Sequence, residues 1–110
     1  MDSLSPAVAA VVVDLKRRIT ERFGVRLLEY VLFGSHARGE VNADSDVDVF
    51  VVVKDMASRE KREIYEMAAE IWADTGVDVS PLARSDREAA ELRRLERRLI
   101  RDIDAEGAPL

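Results

Sequence analysis

The sequence predicts an α/β fold: a small mixed β-sheet packed with helices, in the order α-β-α-β-α-β-α. Two observations carry this. Segments with apolar residues every three or four positions alternate with short β-branched runs, the pattern of helices layered on a sheet. The length, 110 residues, allows one core and one domain over residues 1–110.

The first helix runs from Ser5 to Gly24. Ser5 suits the N-cap and Pro6 the first turn, and Gly24 is a C-terminal stop. Val8, Val12, Leu15, Ile19 and Phe23 form its apolar stripe. Arg26 to Phe33 reads as the first strand, ending in Tyr30-Val31-Leu32-Phe33. Gly34 to Ser45 is polar and glycine-punctuated, a loop with room for one helical turn. Val47 to Val53 is the strongest strand, β-branched at five of seven positions. Helix returns from Ser58 to Thr75, with Ile64, Met67, Ala68 and Ile71 inward, Tyr65 and Trp72 widening the apolar face, and Gly76 closing it. Val77 to Leu82 reads as a third strand. Ser85 and Glu88 have capping-box spacing and open a last helix, striped by Leu92, Leu95, Leu99 and Ile103 and ending near Gly107.

Composition narrows the chemistry. The chain has no cysteine and a single histidine, His36, which removes thiolate sites and thiol nucleophiles and leaves little for zinc. No apolar run approaches the roughly 20 residues that span a bilayer, and the start, Met1-Asp2-Ser3, lacks the basic residues of a signal peptide. A cytoplasmic protein with no membrane partner is the expectation. Seventeen basic residues against 22 acidic ones give a net charge of −5, which argues against direct nucleic-acid binding through neutralised phosphates.

The acids are placed for a task. Side chains alternate along a strand, so Asp46 and Asp48 point to one side, about 7 Å apart. Two carboxylates on one face repel unless a cation lies between them, and oxygen ligands suit magnesium or manganese. The second and third strands are joined by a helix and should run parallel, which brings Asp78 to the same sheet edge. An antiparallel first strand delivers Gly34-Ser35 there as well. Plainer readings stand beside these: Asp46 and Asp48 as strand-flanking acids, Asp78 as a strand-edge acid, His36 as a solvent-facing loop residue. The arginines at positions 93, 94, 97, 98 and 101 read as a solvated helix face, with a partner surface as the alternative. A calcium loop is rejected, because Val49 and Asp55 stand where it needs Gly and Glu. A Ser35–His36 nucleophile pair lacks the elbow motif, and Gly34 to Gly39 lacks the P-loop ending.

Gly34-Ser35, ten residues, then Asp46-Val47-Asp48, with Arg38-Gly39 and Ser45 between, resembles the signature of the DNA polymerase beta-like nucleotidyltransferases. The similarity is greatest to the minimal nucleotidyltransferases of prokaryotes, often paired with a HEPN-domain partner in toxin–antitoxin modules. It covers nearly the whole chain, with Asp78 in Val77-Asp78-Val79 as the late acid. The resemblance implies that Gly34 and Ser35 approach the phosphates of ATP or another nucleoside triphosphate. It implies two magnesium ions on Asp46 and Asp48, with Asp78 completing the catalytic site and helping to take the acceptor's proton. Arg38 would touch phosphate or pin the loop. The implied function is AMP transfer from ATP to a hydroxyl, foremost tyrosine, of a HEPN-type toxin, making this chain its antitoxin. Two alternatives remain: an antitoxin acting by binding alone, and a nucleotidyltransferase for a small-molecule or nucleic-acid acceptor. A domain of this size has no second domain to hold an acceptor, so a partner protein, a self-dimer or an acceptor presented from outside is expected.

Overall fold

The computed structural model describes residues 4–34, 46–95, 103–105 and 107–110. Helix α1 spans Pro6–Phe23 and a 3-10 turn follows at Gly24–Arg26. Strand β1 is Leu27–Phe33, β2 Val47–Val53, helix α2 Ser58–Thr75, β3 Val79–Ser85, helix α3 Asp86–Arg94 and β4 Ala108–Pro109. The sheet order is β3-β2-β1-β4, with β1 antiparallel to β2 and to β4, and β2 parallel to β3. The parallel pair and the antiparallel first strand are the arrangement expected above. The helical turn foreseen between Gly34 and Ser45 lies outside the described residues. So do Ser35, His36, Arg38 and Gly39, and so does Leu99.

Alternation along β2 feeds two cores. Val47, Val49, Val51 and Val53 join Val12, Leu15 and Ile19 of α1 and Ile64, Ala68 and Ile71 of α2. Phe50 and Val52 point to the other face, among Val31, Ala89 and Ile103. A central strand buried on both faces needs an unbroken apolar run, which is why this segment is so rich in valine. Ser5 Oγ accepts from the Val8 N–H and opens α1, and the Tyr30 hydroxyl donates to the Val12 carbonyl at 2.7 Å, tying β1 to that helix.

The turn from β2 into α2 is held by charge. Arg26 donates to both carboxylate oxygens of Glu60 at 2.9 Å, and also to the backbone carbonyls of Lys54 and Asp55. Glu60 is buried and in turn accepts from the Ala57 N–H, supplying the helix cap that Ala57 cannot.

Three expectations need correction. The third strand is Val79–Ser85 rather than Val77 to Leu82, so Asp78 sits just before it. Pairing sets the bounds: Val47 aligns with Val79 and Val53 with Ser85. Ser85 and Glu88 do form the capping box, but α3 as described ends at Arg94 and leaves Leu95 45% exposed instead of on the stripe. Arg93 is half-buried rather than fully solvated, since it bridges Glu29 of β1 and Asp104; Arg94 is exposed and pairs with Glu91, and the arginines at 97, 98 and 101 lie outside the described residues. Strand β4 is an addition that two residues, one of them proline, could not announce in sequence. Among the described residues, no helix is long and apolar enough to cross a membrane.

Candidate active site

The site lies where β1 ends and β2 and β3 begin. Phe33 pairs with Asp48, so the residue after it, Gly34, turns beside that aspartate. Gly34 has φ +77°, the left-handed region that glycine adopts without strain. A Cβ added there would lie 2.5 Å from Asp48 Oδ2. Conformation and space both demand glycine at this position, and they set the turn directly against the half-buried Asp48 carboxylate.

Asp46 and Asp78 stand at matching points, each one residue before its strand. The Val47 N–H donates to the Asp78 carbonyl at 3.0 Å and the ladder continues from Val47 opposite Val79. Their side chains meet in a hydrogen bond. Local desolvation, then the neighbouring Asp46 charge and that hydrogen bond, hold the Asp78 carboxyl above the usual aspartate range. Alternation places Asp46, Asp48 and Asp78 on the sheet face of Phe50 and Leu82, the α3 side.

The structure therefore brings the predicted residues together in two couples, Gly34 with Asp48 and Asp46 with Asp78. It does not close all three acids into one cage: among the described residues, no three His, Cys, Asp or Glu side chains form a group able to hold a metal ion. The donor chemistry still fits a hard divalent cation, since neighbouring carboxylates repel each other and a cation bound by their oxygens relieves that repulsion. Sequence reasoning missed Ser80. It pairs with Asp48 across the parallel ladder and shares the face of Asp78, two positions along. Counting by two from Asp78 would have found it.

Comparison with known proteins decides the family. The nucleotidyltransferase domain model matches residues 12–106. The chain belongs to the nucleotidyltransferase domain family. A Methanocaldococcus jannaschii protein named for protein adenylyltransferase activity, MJ0141, is 32% identical to this nucleotidyltransferase over 76 residues, 68% of this chain and 77% of its own. The protein adenylyltransferase MntA of Thermococcus cleftensis is 49% identical over 43 residues, 39% of this chain and 41% of its own. A crystal structure of a toxin–antitoxin with AMP-PNP superposes with a TM-score of 0.59 at 20% identity, covering 87% of this chain and 69% of that one. A structure of the toxin–antitoxin MntA-HpeT gives 0.58 at 21%, covering 89% and 70%. At such identity these two structures show the shared nucleotidyltransferase fold.

Proposed function

We propose that this nucleotidyltransferase moves AMP from ATP onto a hydroxyl, foremost tyrosine, of a HEPN-domain toxin in the cytoplasm, and so serves as its antitoxin. The observation that carries the reading is the paired geometry: a glycine turn against Asp48 and an Asp46–Asp78 contact at the heads of two parallel strands. The names of the archaeal relatives support protein as the acceptor class.

In this reading, the Gly34 turn and Ser35 position the triphosphate. Asp46, Asp48 and Asp78 would hold the two magnesium ions, which would neutralise charge on the phosphates. The acceptor oxygen bonds to the α-phosphorus, and the bond from that phosphorus to the bridging oxygen breaks. Pyrophosphate leaves with the electron pair. The hydroxyl proton passes to a carboxylate oxygen of Asp78. The protein's share is mostly positioning and charge placement.

The test is direct. A HEPN-domain protein offered as partner is incubated with ATP, magnesium and a trace of the enzyme, then weighed intact. Gain of one or more AMP units on most of the partner is expected, because a catalyst turns over. Silencing of the partner only at equal amounts, with no added mass, would replace transfer by neutralisation through binding alone.

A further inference from the structure

The strand pairing sets four polar positions in a square on the α3 face of the sheet. Asp46 and Asp78 stand level, each one residue before its strand, and two residues further along Asp48 aligns with Ser80. The sides of the square are the gap between strands, roughly 4.8 Å, and two residues along a strand, about 7 Å. Alternation fixes the face. Val47, Val49, Val79 and Ala83 enter the core against α1 and α2, whereas Phe50 and Leu82, the row past Asp48 and Ser80, belong to the other cluster. The rows also deepen in order: Asp46 and Asp78 are exposed, Asp48 and Ser80 half-buried, and Phe50 fully enclosed. Three corners are carboxylates, and the inner corner on β3 is a hydroxyl.

That hydroxyl suits its corner. A fourth carboxylate would add repulsion to a group already crowded with negative charge. An apolar side chain would leave Asp48 as the only polar group of its row, because its other ladder neighbour is Phe33. A serine hydroxyl is neutral and can both accept and donate. It is also one bond shorter than the arm of an aspartate, so a cation touching the aspartate oxygens stands beyond its direct reach. Water on that cation does not. Magnesium dehydrates reluctantly and keeps several waters when one or two carboxylates bind it.

We infer that Ser80 is a positioning residue of the cation site, its hydroxyl oxygen accepting a hydrogen bond from a water carried by a divalent cation on Asp48 and Asp78. The inference rests on the magnesium reading above and adds to it a neutral group that fixes the hydrated side of the ion. The Gly34 turn closes on Asp48 Oδ2 from the β1 side and brings no side chain of its own, while Ser80 stands level with Asp48 on the β3 side. The two flanks of this carboxylate therefore differ: one is shaped by space, the other by a hydrogen-bonding group.

Manganese alone, added to the full chain after chelator treatment, is the probe, with free ion read by electron paramagnetic resonance. Losing a group that orients a metal's ligands commonly weakens metal binding about tenfold or more. Ser80→Ala should show that loss while its Tm in chelator stays at the wild-type value. Ser80→Thr keeps a hydroxyl on a residue that strands favour, and should bind within about twofold of wild type. Asp48→Asn should abolish binding. Equal affinity in wild type and Ser80→Ala, with Asp48→Asn still inactive, would overturn the role of Ser80 and keep the cation on the acids. Equal losses in Ser80→Ala and Ser80→Thr, or a lowered Tm of Ser80→Ala in chelator, would assign the effect to packing and overturn the role as well. A wild type that binds no manganese, or undiminished binding by Asp48→Asn, would overturn the magnesium reading itself and this inference with it.

Discussion

At the scale of single residues, Gly34 and Asp48 constrain each other closely. Gly34→Ala adds a Cβ at φ +77° and sets it 2.5 Å from Asp48 Oδ2, so strain and displacement of the carboxylate arrive together. Left-handed strain at a non-glycine residue costs about 1–3 kcal/mol. The variant should melt earlier by thermal denaturation and lose most magnesium-dependent ATP binding in calorimetry. Asp48→Asn separates the two effects, because the amide keeps the shape and removes the charge. That variant should retain the wild-type fold by circular dichroism yet bind no ATP in magnesium; undiminished ATP affinity would remove Asp48 from the site.

At the scale of elements, the Arg26–Glu60 pair joins the 3-10 turn before β1 to the first turn of α2. Arg26 first, then the Ala57 N–H, hold the Glu60 carboxyl down at about 2. Its folded value is below its unfolded one, so its contribution is present above the ordinary glutamate range and is lost as pH falls through about 2. Glu60→Gln should flatten the acid limb of the stability profile in that window, measured by denaturant midpoints at stepped pH. Nothing in the sequence marks this glutamate, since its partner lies 34 positions away. The elements themselves were legible where local physics decides them. The cap Ser5, the α1 stripe and the valine run of β2 act within a few residues of themselves. The third strand was misplaced because its limits follow from register with β2, and Pro81 inside it reads as a breaker until the strand is known to be an edge. The site followed the same division. Gly34, Asp46, Asp48 and Asp78 stand out by spacing, but the coupling of Asp46 with Asp78 comes from the alignment of Val47 with Val79.

At the scale of the whole molecule, the acids of the site weigh heavily on a small acidic protein. The chain carries 22 acidic residues against 17 basic ones, and without Asp46, Asp48 and Asp78 the net charge would be −2 rather than −5. Among the described residues many other acids are already matched: Glu60 with Arg26, Glu29 and Asp104 with Arg93, Glu88 with Lys61, Glu70 with Arg18. Asp46 and Asp78 instead lean on each other, an arrangement that a cation relieves. A ligand that binds the folded chain alone stabilises it by mass action, about 2.7 kcal/mol at a hundredfold excess over Kd. For a domain of this size that corresponds to a rise in Tm of roughly 10 °C. Magnesium with a non-hydrolysable ATP analogue should produce it in differential scanning calorimetry, and chelation should reverse it. Asp48→Asn should abolish the rise, whereas Glu60→Gln should lower the starting Tm and keep the rise. A wild-type Tm indifferent to magnesium and nucleotide together would remove the metal from the site, and with it the reason for three acids at the heads of two strands.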